Sequence, residues 1–187
     1  VVADYLQRVR KIPAQIVSQL FAAGRLLADA MGNAIFPRAN GGAFKRGRGK
    51  FYQTIGGKNC GPYVLPGNAS RVVFTESPID ALTLKTVEPD ATIVATGGNL
   101  LGPAELAPYA KDKQVVLAFD SDKAGQQFTA AFKRAFMGAE VLTPPGGAKD
   151  WNEALQRGAE ARKTIEQGQP LTESQTPPKT PAKGAFK

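Results

Sequence analysis

The chain has 187 residues, 42% hydrophobic and 21% charged, enough for one medium-sized domain with a smaller appendage. It has no histidine and one cysteine, Cys60, which excludes Ser-His-Asp and Cys-His triads, histidine-built zinc sites, disulfides within the chain and cysteine-built clusters. Chemistry must then run on carboxylates, lysine, arginine, hydroxyls or a metal held by oxygen, and no apolar run approaches the roughly 18 residues of a membrane span, so no membrane partner is expected.

Low cysteine content suits a reducing compartment, so a cytoplasmic location is expected. The chain opens on VVADYLQRVRK, neither a methionine nor a signal peptide, which predicts a piece of a longer protein. The formal net charge of +8 lies in the first seventy residues, where ten Lys/Arg face only Asp4 and Asp29. A solvated basic surface carries such a charge, and so does a polyanion-binding face that gains affinity by releasing counterions.

Pro13 suits the first turn of a helix in which Ile16, Val17, Leu20 and Phe21 recur at helical spacing, with Gly24 as the stop. Strand-like pieces follow at 34–37 and 50–55, separated by NGGAFKRGRGK, which reads as a loop. Phe44, Phe51 and Tyr52 lie among its cations. Arg38, Lys45, Arg46, Arg48, Lys50 and Lys58 are the candidate nucleic-acid contacts, although a soluble hairpin tip has the same composition.

From residue 71 short apolar runs alternate with helical patterns: RVVFT, TIVAT, QVVLAFD and AEVLT, with helices expected at about 77–87, 103–109, 124–137 and from Asp150. Such alternation predicts an α/β fold, a parallel sheet of about four strands with helices on both faces. The expected organisation is a basic α+β subdomain over 1–70, a catalytic domain over 71–168 and a disordered, proline-rich basic tail over 169–187.

Ligands of an open parallel sheet bind beyond its carboxyl ends, and acids collect there. Glu76 follows the first strand, Asp120 the third with Asp122 two residues on, and Asp150 the fourth; Asp80 lies in the first helix's opening turn. Brought to one rim, these acids repel unless a cation neutralises them, and oxygen ligands without His or Cys suit Mg²⁺ or Mn²⁺. Each has a plainer role open to it: acids end strands and cap helices, Gly97-Gly98 makes a tight turn, and Trp151 plugs a core.

The segments FTESPIDAL (74–82), ATGG (95–98), VLAFDSDKAGQ (116–126) and AKDWNEAL (148–155) resemble the Toprim domain, in the form found in bacterial and plasmid DNA primases. The basic residues ahead of them resemble the small subdomain that precedes Toprim in such proteins. The resemblance implies a compact Rossmann-like Toprim sheet and primer synthesis from NTPs on single-stranded DNA, with a helicase or relaxase as a further partner. It implies Glu76 as general acid/base or metal ligand, Asp120 and Asp122 as Mg²⁺ ligands and Asp150 as a further carboxylate. Asp80 would support the rim and Lys149 would reach a phosphate. Ser77 replaces the family's usual glycine, and Asn152 stands where primases often have a second acid, leaving only a carbonyl oxygen as a weak ligand. A Toprim nuclease and a non-catalytic DNA-binding module are the alternatives; the latter is favoured by the missing zinc module, which Cys60 alone cannot build.

Overall fold

A computed structural model describes residues 1–166; the expected tail over 169–187 lies outside the described residues. The first unit opens with helix α1 (Val2–Asp4), which runs on into a π-helical turn over Tyr5–Val9 and buries Val2, Tyr5 and Leu6. Helix α2 (Ala14–Ala22) follows where its sequence predicts a helix, with Pro13 as its N-cap, one residue ahead of the first turn. Four strands then form an antiparallel sheet in chain order: β1 (Leu27–Ala28), β2 (Ala34–Pro37), β3 (Ala43–Arg46) and β4 (Tyr52–Ile55).

Strand β3 corrects the expectation of a loop at NGGAFKRGRGK. Gly41 and Gly42, at φ 90° and 70°, turn the chain so that Ala43–Arg46 pairs with β2 on one side and β4 on the other. Its apolar content is only Ala43 and Phe44, both buried, too short a signal to stand out among glycines and cations.

The second sheet has the order β5-β7-β6-β8-β9. Strands β6 (Arg71–Thr75), β7 (Thr92–Ala95), β8 (Gln114–Leu117) and β9 (Glu140–Val141) are parallel, while β5 (Tyr63–Leu65) pairs antiparallel with β7. The sheet therefore has five strands, the extra one drawn from the residues ahead of Arg71. Helices α3 (Pro78–Val87) and α6 (Trp151–Glu166) cover one face, and α4 (Pro103–Ala110) and α5 (Lys123–Ala135) the other. Alternate residues of β6 serve the two cores: Val73 packs with Ile79 and Leu82, while Val72 and Phe74 pack with Phe119 and Phe132. Burial on both faces explains why these strands read as continuous apolar runs.

The core under α3 does not stop at the sheet. It includes Tyr5, Leu6, Phe36 and Phe44 of the first unit, so the two units share one apolar interior. At their junction Gly97 adopts φ 76°, and a Cβ there would stand 2.3 Å from the Phe44 ring. The turn also presents two amides, since Gly97 and Gly98 N–H donate to the Glu76 carbonyl at 2.9 and 3.0 Å. Gly97→Ala is expected to destabilise the protein by roughly 1–3 kcal/mol through the left-handed backbone, with the Phe44 contact adding to it; urea unfolding checks this, and an unchanged midpoint refutes it.

Candidate active site

Strand β6 is followed by β7 on one side and, after the chain crosses back, by β8 on the other. The carboxyl ends of β6 and β8 thus flank the switch point where such sheets bind ligands. Glu76 stands directly after β6. Asp120 stands three residues beyond β8, on an extension held by the Ala118 N–H bond to the Phe74 carbonyl (2.8 Å). Across the gap the Asp120 backbone N–H donates to Glu76 Oε1 at 3.3 Å.

Gly125 makes this approach feasible. A Cβ there would fall 2.1 Å from the Asp120 carbonyl oxygen and 2.9 Å from Glu76 Oε1. Sequence reasoning missed its role, although it is the glycine of the quoted segment, three residues after Asp122. The loop before α6 is clipped to the same place, because Ser121 donates from its backbone to the Lys149 carbonyl and from its hydroxyl to the Ala148 carbonyl, both at 2.8 Å.

The other acids are taken up in local bonds. Asp122 Oδ1 caps α5 by accepting from Gly125 N–H (3.0 Å), and its Oδ2 lies 3.4 Å from Lys149 Nζ. Asp150 Oδ1 caps α6 through Glu153 N–H (2.7 Å). Asp80, buried in α3, accepts from the Ser77 hydroxyl at 2.5 Å and from Asn152 N–H at 3.0 Å. Asn152 is no rim ligand: its carbonyl oxygen accepts from Arg10 and Gln156, and its amide donates to the Arg10 carbonyl and the Thr83 hydroxyl. Trp151 plugs the core, donating its indole N–H to the Ala118 carbonyl (3.0 Å).

These contacts separate the carboxylates electrostatically. The helix-cap amide and Lys149 hold Asp122 below the ordinary aspartate range. Burial raises Glu76, partly offset by the Asp120 N–H. Burial, with Asp150 next, pushes Asp80 up to about 6. Asp120 is pushed furthest, to about 8, by burial and then by Asp80, Glu76, Asp150 and Asp122. Its Oδ1 is buried with no hydrogen-bond partner.

Among the described residues no three His, Cys, Asp or Glu side chains stand close enough together to hold a metal ion. Asp122 and Asp150 each give one oxygen, Oδ1, to a helix cap, which leaves Oδ2 of each outside the cap. The donor set still fits a hard divalent ion held by one or two carboxylates and otherwise by water and phosphate, since Asp120 offers a desolvated, unpartnered oxygen in a field of like charge.

Of the candidate cations, Arg38 is the buried one. It is only 4% exposed and donates to the carbonyls of Gly61, Gly56, Gly57 and Ile55 at 2.6 to 3.3 Å, with its guanidinium over the Phe44 ring. It clamps a turn. Lys45 pairs with Asp29 at 2.6 Å and Lys58 with Glu105 at 3.1 Å. Arg46 is half-buried beside Tyr52, while Arg48 and Lys50 are exposed.

Residues 73–155 match a family model described as Toprim-like. They form a Toprim-like domain. The fold resembles the primase fragment of the bacteriophage T7 primase-helicase protein, with TM-score 0.58 and 21% identity over 86% of this chain and 71% of that one. It also resembles the DnaG catalytic core, with TM-score 0.57 and 15% identity over 89% and 73%. A DNA primase domain from Pseudomonas aeruginosa follows at TM-score 0.50 and 14% identity over 81% and 58%. These likenesses reach beyond the Toprim-like span into the first unit. No curated protein sequence matches. Among the described residues no helix is long and apolar enough to cross a membrane.

An unfolded aspartate releases its proton near 3.8, whereas folded Asp120 of the Toprim-like domain keeps it to about 8. Between those values the folded chain binds the extra proton, so Asp120 lowers stability progressively as pH rises through this window. Asp120→Asn is expected to be more stable than the parent at pH 8 in chelator, with the difference vanishing near pH 4. Parallel denaturation curves at both pH values would contradict the burial-driven shift.

Proposed function

We propose that the chain is the catalytic core of a DNA primase-type nucleotidyltransferase, dependent on Mg²⁺ or Mn²⁺, that joins NTPs into RNA on single-stranded DNA. The observation that carries this is the buried, unpartnered Asp120 oxygen at the switch point, ringed by Glu76, Asp80, Asp122 and Asp150. A lone acid at a strand end needs no such company, and like charges gathered at a sheet rim suit a site built for a cation.

In this proposal Asp120 and Asp122 hold the divalent ion, with waters and substrate phosphates completing its shell, and Asp150 supplies a further carboxylate. The bound ion neutralises charge developing on the attacking and leaving oxygens of phosphoryl transfer. Glu76 acts as general acid/base, its proton affinity raised by burial and its backbone fixed by the Gly97 and Gly98 amides. Lys149, exposed beside Asp122, reaches a phosphate. Asp80 supports the rim by fixing Asn152 and hence the start of α6.

The first unit serves as the nucleic-acid surface and residues 71–168 as the catalytic part. The T7 neighbour is the primase fragment of a primase-helicase protein, and a helicase is the partner we assign here.

Ribonucleotide incorporation on single-stranded DNA with Mg²⁺ tests the reading. Asp120→Asn and Glu76→Gln are each expected to lose roughly a hundredfold or more, and the stabilisation of the parent by millimolar Mg²⁺ in a thermal melt is expected to vanish in Asp120→Asn. Shortened DNA in the same assay would instead identify a Toprim nuclease. DNA binding without products, indifferent to Asp120→Asn, would identify a binding module.

Salt titration of DNA binding separates the cations. Losing Arg48 and Lys50 together is expected to flatten the log-log slope by roughly 0.7 per phosphate contact. Arg38→Met is expected to leave the slope unchanged while lowering stability by roughly 1.5–3 kcal/mol in urea.

A further inference from the structure

We propose that the cleft beyond the carboxyl ends of β8 and β9 receives the ribose of a nucleoside triphosphate and reads its hydroxyls. This rests on the nucleotidyltransferase reading above and names the part of the substrate that lies next to the phosphates. The chain over 119–121 forms one side of the cleft and 141–143 another, and Gln126 and Thr129 of α5 complete it. Its volume is about 210 Å³. A cavity of roughly 150 Å³ takes benzene, so one sugar ring fits this cleft and a whole nucleotide does not.

The lining favours a sugar over the other parts of a nucleotide. Among the described residues that line it, Asp120 alone is charged, so no side chain of the cleft itself pairs with a phosphate. Phe119 is the aromatic among them. It is 2% exposed and makes T-shaped contacts with Phe128 and Phe132 at 5.0 and 4.9 Å between ring centroids, which leaves no open ring face for a base to stack on. Apolar Val141 and Leu142 stand with the hydroxyls of Thr129 and Thr143 and the amide of Gln126. Neutral donors and acceptors beside apolar surface suit a ring that carries hydroxyls.

Two contacts fix the shape of the cleft. Gln126 Nε2 donates to the Ser121 carbonyl at 3.0 Å, which holds the amide in place and leaves its Oε1 as an acceptor. Leu142 N–H donates to the Leu117 carbonyl at 2.9 Å and pins the chain after β9 beside β8. Thr129, three residues after Gln126, lies on the same face of α5. Walls already in place need little ordering when a ligand arrives. The position also fits the substrate. In the sheet order β6-β8-β9, Asp120 follows the middle strand, with Glu76 on one side and the cleft it lines on the other. The sugar of a nucleoside triphosphate carries the α-phosphate directly, so phosphates held at the rim bring the ribose into the neighbouring space and leave the base beyond it.

The test is calorimetric titration of the full chain in millimolar Mg²⁺ with ATP, its 2′,3′-dideoxy analogue and inorganic tripolyphosphate. The parent is expected to bind ATP roughly three- to tenfold more tightly than the dideoxy analogue, because a site built to pair with hydroxyls rejects a ligand that lacks them. Thr129→Val combined with Thr143→Val, and separately Gln126→Met, are expected to weaken ATP towards the dideoxy value and to leave the analogue and tripolyphosphate unchanged. Thr129→Phe, which fills the cleft, is expected to weaken both nucleotides and spare tripolyphosphate. Equal losses for ATP and the analogue in the valine pair, no loss in any of these variants, or no preference in the parent overturn the proposal. Nucleotide binding that Asp120→Asn still abolishes would then keep the nucleotidyltransferase reading intact. A parent that binds neither ATP nor tripolyphosphate with Mg²⁺ overturns that reading and the proposal with it.

Discussion

The structure turns on keeping a desolvated carboxylate, Asp120, among acids of its own sign. Nothing in a soluble fold favours that arrangement by itself, because each buried charge loses hydration and each neighbour adds repulsion. The surrounding residues make it tolerable by removing charge from the group or distributing it. Asp122 is satisfied by a helix-cap amide and Lys149, Asp150 by the cap of α6, and Asp80 by Ser77 and Asn152. Asp120 Oδ1 is buried with no hydrogen-bond partner, and burial together with the neighbouring acids raises the group's proton affinity.

Holding that rim in shape requires the first unit as well as the sheet. Asn152 receives Arg10 and donates to the Arg10 carbonyl while its own N–H fixes Asp80, so the N-terminal segment reaches the carboxylates through one buried amide side chain. On the opposite side of Glu76, Phe44 of β3 lies against Gly97, whose amide bonds the Glu76 carbonyl. The loop carrying Glu76 is thus braced from both directions by residues far away in sequence. The shared core containing Tyr5, Phe36, Phe44, Val73 and Ile93 gives those braces a common foundation.

Much of the second unit is legible because its local signals agree. RVVFT, TIVA and QVVL are buried on both faces, and Ser77, Asp122 and Asp150 cap helices where their positions predict. What escapes is whatever depends on tertiary approach. Gly125 is required by the nearness of the Asp120 carbonyl and Glu76, residues that no spacing rule relates to it. Strand β5 carries a three-residue pattern too short to distinguish from a loop, and β3 hides two buried residues among glycines and cations. Arg38 looks like its neighbours in a basic stretch, and only the four carbonyls around its guanidinium reveal a buried clamp. The acids themselves are legible, but their orientation is not, since capping a helix and facing a cation are alternative uses of the same oxygen.

The same distinction refines the meaning of the basic charge. A count over the first seventy residues treats every cation as available to a polyanion. Arg38 is buried on backbone carbonyls, Lys45 is paired with Asp29, and Lys58 with Glu105. What stays at the surface of the first sheet is concentrated at Arg46, Arg48 and Lys50, on the hairpin joining β3 to β4 and beside the exposed rings of Phe51 and Tyr52. Electrostatic attraction falls off within about 10 Å at moderate salt, so what matters is charge close to the chemistry rather than the total. The arrangement places a cationic, aromatic edge on one side of the Glu76 loop and an anionic rim on the other. In the proposed primase reading, the first surface would meet the strand and the second the substrate phosphates, so the two signs of charge divide the work between them.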